Sequence, residues 1–329
     1  AILGVGSIGG LILGALSDSS ADLVAFSRGK TYTDLSDLGL ILNTPEGSIE
    51  LIPSDRFLLI DSEKIIPEQV RKSCDVAIIC GKASSTPILT QIAEEILVSD
   101  GLALTVQNGL GNAEILAHRL GRNRVLAGSI THGAWKDGEG SVHWVGRGTM
   151  HMGTLDSNNS ENIAKTLLEI LNESQLDAIW SDNVQRTVWK KLLLNVSINP
   201  VCAIAGVRNG ALLEIPELWA IAMDSMNEAM AVASALGVDL SGFDPEDYLK
   251  DVVESTANNR CSMLQDVMAG RPTEIDALCG AVVERGESLG IPTPANSALH
   301  ALVKGVENSK DFDYVIRDLY SNVNPHFLL

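Results

Sequence analysis

The stretch AILGVGSIGGLILGAL, residues 1–16, decides the fold. AILGVG reads as a short buried strand and SIGGLILGAL as the helix that follows it. Between them Gly4, Gly6 and Gly9 form the pattern G-x-G-x-x-G. In such a turn the first glycine permits a tight bend, the second lets the backbone approach a pyrophosphate, and the third lets helix and strand pack closely. The helix start at Gly6, Ser7 and Ile8 offers unpaired N–H groups and the positive end of the peptide dipoles. Alone the motif is weak, because a glycine-rich turn without a ligand would look the same. Its place between a strand and a helix is the context a dinucleotide site requires.

Working outward, ADLVAFSR reads as the next strand, followed later by the strand CDVAIICGK, the helix TPILTQIAEEILVSD and the strand LALTVQNG. Strand–helix alternation predicts an α/β fold with a doubly wound, Rossmann-type parallel sheet. VLAGSITHGAW and GSVHWVGRGTMHMG flank the turn-rich KDGEG and predict a β-hairpin at the sheet edge. A helix over 160–172 and the short strand LDAIW complete this half. From Ser181 the texture becomes helical throughout, over 182–206, 216–236, 245–269, 273–289, 297–308 and 311–322. The expected domains are therefore 1–181, which binds the cofactor, and 182–329, an all-helical substrate domain, with a cleft between them.

The bulk numbers agree with this plan. A chain of 329 residues is long enough for two cores. A formal net charge of −18 argues against nucleic acid or an anionic membrane surface as partner, and it makes each well-placed cation informative. The five cysteines show neither a CxxC pair nor a zinc spacing, so buried free thiols in a reducing, cytoplasmic compartment are expected. None of the apolar runs approaches the roughly 20 residues that span a bilayer. The apolar start lacks a basic leader and is broken by glycines, so it is not expected to act as a signal peptide.

The second strand ends in AFSRGK. NAD enzymes usually place a carboxylate there for the ribose hydroxyls. Here Ser27, Arg28 and Lys30 stand instead, and Lys82 ends a later strand in ICGK. A guanidinium suits an adenosine 2′-phosphate. The expected cofactor is NADP(H), against the alternative that these are ordinary solvated surface cations.

The helix TVWKKLLLNVSINP carries Lys191, Asn195 and Asn199 at a stride of four, hence on one face. With GVGSIGG, TVQNGLGN (Thr105 to Asn112), WKKLLLNVSINPVCAIAGVRNG and NNRCSMLQDVMAGRPTEIDALCG, the chain resembles the ketopantoate reductase (2-dehydropantoate 2-reductase) family over nearly its full length. The resemblance implies that Lys191 is the catalytic lysine and Glu274 its catalytic partner. It implies substrate contacts from Asn195, Asn199, Asn209, Asn259 and Ser262. It places Asn108 near both nicotinamide and substrate, and Arg28 and Lys82 on the 2′-phosphate. The neighbouring Lys190 points about 100° away around the helix.

The implied reaction is NADPH-dependent reduction of 2-dehydropantoate to (R)-pantoate, in pantothenate and coenzyme A synthesis. Lys191 would act as general acid, needing no metal. Another 2-keto acid is an alternative substrate, and a non-catalytic NADP-sensing regulator is an alternative of another class. Plain structural readings also exist: Lys191 snorkelling to solvent, the asparagines as satisfied helix–helix amides, Glu274 helping to cap a helix. A homodimer is compatible with the sequence and not specified by it.

Overall fold

The structure is a computed structural model that describes residues 1–137, 140–155 and 161–309. The helix expected over 311–322 lies outside the described residues, as does Ser160. The chain forms two compact units, Ala1–Val188 and Trp189–Leu329.

The first unit contains the strands β1 (Ile2–Leu3), β2 (Val24–Ser27), β3 (Leu40–Asn43), β4 (Ile49–Ile52), β5 (Leu58–Asp61), β6 (Cys74–Ile79), β7 (Leu97–Thr105), β8 (Val125–Ile130), β9 (Gly133–Lys136), β10 (Val142–Gly146), β11 (Met150–Thr154) and β12 (Ala178–Trp180). Its helices are α1 (Ser7–Leu16), α2 (Gly29–Leu38), α3 (Thr86–Ile96), α4 (Asn112–Leu120) and α5 (Glu161–Glu173). Eight strands form one sheet in the order β12-β11-β8-β7-β6-β1-β2-β5. The six from β8 to β5 are parallel, and β11 runs antiparallel to β8. This is the doubly wound sheet that the alternation predicts.

Central strands buried on both faces need apolar residues at every position, and Ala77-Ile78-Ile79 and Leu102-Ala103-Leu104 supply them. The strand period of two then divides the core. Ile2, Ile78, Leu102 and Leu104 pack with Leu11, Ile12 and Leu13 of α1 and Leu167 and Leu171 of α5. Leu3, Ile79 and Ala103 pack with Leu89, Ile92 and Ala93 of α3 and Leu116 and Leu120 of α4. Strand β1 lies at the topological switch, with β2 on one side and β6 on the other.

Several expectations are corrected. The predicted hairpin at the sheet edge divides between two sheets. β8 and β11 pair antiparallel in the main sheet, whereas β9 and β10 form a hairpin in a separate four-stranded sheet, β4-β3-β10-β9. The strands break where His132, buried, accepts the Gly148 N–H on Nδ1 and meets the Leu176 carbonyl through Nε2. The helix beginning at Thr86 stops at Ile96, and Leu97 joins the strand by pairing with Cys74. The elements α2, β3, β4, β5 and α4 have no counterpart in the sequence reading. β4 shows why: Ile49 and Leu51 face solvent, so its pattern lacks a buried face.

The second unit is helical, with no strand among the described residues. It comprises most of α6 (Val184–Ala205), then α7 (Ala211–Glu214), α8 (Pro216–Ala235), α9 (Pro245–Ser255), α10 (Ser262–Met268), α11 (Ala281–Leu289) and α12 (Pro294–Asn308). The single helix expected over 245–269 is two. Thr256 accepts the Asn259 N–H in a turn, and the Cys261 sulfur caps the Leu264 N–H of α10. The helix expected over 273–289 begins with a wide π-turn, Asp276–Gly280, before α11.

Pro200 sits inside α6 and removes the N–H that would bond the Val196 carbonyl. The buried Ser225 hydroxyl of α8 lies 3.1 Å from that carbonyl oxygen and 3.1 Å from Asn296 Oδ1, so its one proton serves both acceptors in turn. Ser225→Ala should therefore cost about 1–3 kcal/mol, the penalty for a buried unsatisfied carbonyl. Urea denaturation checks this; a midpoint equal to wild type would mean the carbonyl is satisfied otherwise.

Candidate active site

The carboxyl ends of the parallel strands gather the first unit's expected residues. Gly4 has φ +94°, and a Cβ there would lie 2.6 Å from the Gly81 nitrogen. A Cβ on Gly9 would lie 2.2 Å from the Gly4 carbonyl oxygen, so the turn closes only with glycine at both places. Gly6 differs. A Cβ on it would meet nothing within 4 Å, leaving the backbone open to an approaching group. Helix α1 has no acidic residue in its first turn and no side-chain cap. Its first N–H groups, on Ser7, Ile8 and Gly9, lack intrahelical acceptors and suit a phosphate.

Cations stand on both sides of this turn. Arg28 follows β2 and is the N-cap residue of α2; Lys82 follows β6. Both strands pair with β1. Arg28 is largely exposed, with Glu63 3.6 Å away. Lys30, by contrast, is held by Asp34 at 2.8 Å, one turn along α2.

Asn108 follows β7, the next strand. Its turn is built by residues the sequence reading did not single out. Gln107 Nε2 donates to the Gly81 carbonyl at 2.7 Å and to Thr86 Oγ1 at 2.8 Å. Thr86 Oγ1 donates to Asn112 Oδ1, and Asn112 Nδ2 donates back to the Asn108 carbonyl. Thr86 and Asn112 are buried, so this chain of bonds is shielded from water. The signal available in the sequence was the unexplained polarity of Gln107 and Asn112 beside a buried strand.

In the second unit, Lys191, Asn195 and Asn199 share one face of α6. Desolvation pushes the Lys191 pKa down to about 8, and the negative charge of Glu274 acts in the opposite direction. Lys190, one residue earlier, is engaged by the rings of Phe243 and Tyr248, 5.2 and 5.1 Å from its Nζ. That is cation–π distance.

The loop between α9 and α10 joins the remaining residues to α6. The Cys261 S–H points at the Asn199 carbonyl at 3.5 Å, which sets the adjacent Ser262 beside that turn. The Asn209 N–H donates to the Asn259 carbonyl at 3.1 Å, and Gly210 N to Ala257 O at 3.0 Å. Asn209 Nδ2 donates to Thr256 Oγ1. Asn209 Oδ1 is the one buried side-chain polar atom without a hydrogen-bond partner among the described residues. Asn259 and Ser262 are exposed.

Each unit thus groups its own expected residues: Gly4, Gly6, Ser7, Ile8, Gly9, Arg28, Lys82 and Asn108 in the first, the lysine, carboxylate, serine and amides in the second. Among the described residues no cluster of three or more His, Cys, Asp or Glu could hold a metal ion. No described helix is long and apolar enough to cross a membrane. The five cysteines are free, four of them buried.

Known proteins resemble this chain over most of its length. Residues 1–157 match the family model described as "Ketopantoate reductase PanE/ApbA", and residues 183–307 match its C-terminal counterpart. A 2-dehydropantoate 2-reductase of Archaeoglobus fulgidus is 31% identical over 307 residues, covering 93% of this chain and 97% of that one. One from Salmonella typhimurium is 30% identical over 308 residues, covering 93% and 94%. Among solved structures, a PanE/ApbA family ketopantoate reductase of Ralstonia eutropha superposes with a TM-score of 0.82 at 29% identity, covering 93% and 97%. A D-mandelate dehydrogenase, solved with NADH and anilino(oxo)acetate, superposes at 0.86 with 24% identity over 93% and 97%, a likeness of fold.

Proposed function

Because the chain belongs to the ketopantoate reductase family, we propose that it reduces 2-dehydropantoate to (R)-pantoate with NADPH, as a cytoplasmic step of pantothenate and coenzyme A synthesis. The observation that carries this reading is Lys191: an ammonium on an amide-lined helix face, its pKa lowered to about 8 by burial and held up by Glu274. A proton donor for carbonyl reduction near neutral pH needs that range.

The residues of the first unit fit a dinucleotide. The open side of Gly6 and the free α1 N-terminus accept the pyrophosphate, and Arg28 and Lys82 supply charge for a 2′-phosphate. The cofactor, when bound, supplies the hydride for the keto carbon. As that carbon is reduced, negative charge grows on its oxygen. Lys191 stabilises the charge and transfers its Nζ proton to the oxygen, which becomes the product hydroxyl. Glu274 keeps Lys191 protonated before the step and accepts a hydrogen bond from the substrate's own hydroxyl. Asn209 Oδ1, buried and unpartnered, is a second acceptor for a hydroxyl. Asn195, Asn199, Asn259 and Ser262 donate to the substrate carboxylate, whose charge Lys191 balances. Asn108, after β7, is assigned to the nicotinamide and substrate, as the family resemblance implies.

NADPH oxidation with a panel of 2-keto acids tests the proposal. We expect ketopantoate to give the highest kcat/KM. Turnover of another keto acid with none on ketopantoate would transfer the reading to that substrate. Tight NADPH binding with no turnover on any keto acid would mark a regulator.

A further inference from the structure

Helix α12 bonds to residues on both sides of Glu274. Resting on the reading of Lys191 and Glu274 above, we propose that α12 positions Glu274, with Glu307, Lys304 and His300 as the positioning residues.

These three lie on one face of α12, at the i, i+4, i+7 spacing of a helix stripe. They grip the chain on both sides of Glu274. Glu307 Oε1 accepts the N–H of Thr273, the preceding residue, at 2.6 Å. Lys304 Nζ donates to Glu307 Oε2 at 3.0 Å and to Asp276 Oδ2 at 3.0 Å. His300 Nε2 lies 2.7 Å from Asp276 Oδ1. Thr273 and Asp276 are therefore both tethered, and Glu274 has little freedom between them. The tether to Thr273 is the sheltered one, with the Glu307 side chain only 13% exposed.

The backbone at this point has an unusual course. The Glu274 carbonyl accepts from Ala277 N and Leu278 N, and the Ile275 carbonyl accepts from Gly280 N, five residues on. A one-turn π segment of this kind has weaker local hydrogen bonding than an α-helix and often marks a functional position. A Cβ on Gly280 would lie 3.1 Å from the His300 ring, so α12 packs directly on the widened turn. The other end of α12 is fixed as well. The Glu228 carboxylate of α8 accepts from Ala295 N at 2.7 Å and from Asn296 N at 2.9 Å. Leu299 and Val303, on the neighbouring row of the helix, are buried. An anchored helix can hold a carboxylate in place; a loosely attached one could not. The charges agree in direction: Lys304 is raised by its bonds to Asp276 and Glu307.

The proposal is tested by two readouts on the full chain. The first is the pKa of Lys191, from the pH dependence of its acetylation by acetic anhydride, quantified by mass spectrometry. The second is kcat for keto-acid reduction. Glu307→Ala should lower the Lys191 midpoint, because Glu274 no longer sits where it raises it, and should reduce kcat roughly tenfold with KM little changed, a coupling typical of one network. Glu307→Gln, which keeps the acceptor for Thr273, should restore most of both. In a Glu274→Gln background, Glu307→Ala should have no further effect on either. Equal losses in the two backgrounds, or an unchanged Lys191 midpoint in Glu307→Ala, would overturn it. Should Glu307→Ala fail to fold, Lys304→Met is read the same way, with a smaller displacement expected in the same direction. Absence of turnover on every keto acid would defeat the proposed reaction alone, since the acetylation readout still decides the role of α12.

Discussion

Lys191→Ala should lower kcat for keto-acid reduction by about 10²–10⁴-fold, the range for removing a general acid from a transition state, with NADPH affinity unchanged. The Lys191 pKa falls from 10.5 to about 8, with burial the main cause and Glu274 opposing it. Reduction uses the protonated form, so kcat/KM should hold below pH 8 and fall as pH rises through that value. Glu274→Gln removes the charge that supports the ammonium, so its profile should break at lower pH. The same shift has a consequence for stability. Between about 8 and 10.5 the unfolded chain binds a proton that the folded chain does not, and stability rises with pH across that window. Below it, the partly buried ammonium is a standing cost. Lys191→Met should therefore raise the denaturation midpoint at pH 7 while abolishing turnover. Stabilisation and inactivation in one substitution is the signature of a side chain kept for chemistry rather than for packing. An active Lys191→Ala enzyme would remove Lys191 from the role of acid.

The phosphate turn and the stride of α6 were legible in the sequence because each is written in a few consecutive residues. Gly4, Gly6 and Gly9 announce a backbone geometry, and Lys191, Asn195 and Asn199 announce a face. The β8–β11 and β9–β10 pairings were not legible. Both halves of the predicted hairpin have strand patterns, and what separates them into two sheets is a buried histidine bonded to residues up to 44 positions away. The break between α9 and α10 was hidden for a similar reason. TANNRC carries no proline or glycine, and its turn is held from outside by Asn209 and Gly210. The bond from α12 to the residue before Glu274 is a tertiary contact of the same kind. Glu307 lies 34 residues from Thr273, and nothing local in either segment points to the other. Local chemistry can be read from spacing, whereas the partners that fix its position are chosen by the fold.

The other large effect concerns the cofactor. Removing both Arg28 and Lys82 should weaken NADPH binding by roughly 10²–10³-fold while leaving NADH nearly unaffected. Each hydrogen bond to a charged group contributes about 1.5–3 kcal/mol, and two of them span that range after allowance for the exposure of Arg28. The pair should act together, since β2 and β6 lie on either side of β1 and both cations follow their strand ends. The present partner of Arg28 competes only weakly. Glu63 is 3.6 Å away and both side chains are more than 60% exposed, an arrangement worth little in water. A phosphate dianion should displace it. Because the contact is exposed, the NADPH preference should also shrink as salt is raised, with the Debye length falling to about 3 Å at 1 M. The glycine turn should contribute equally to both cofactors, so its energy should cancel from the ratio. Fluorescence titration of wild type and the Arg28→Ala, Lys82→Ala double variant with each cofactor gives that ratio directly. Parallel losses for NADH and NADPH would show that these cations hold the dinucleotide as a whole, and that the 2′-phosphate is not what they read.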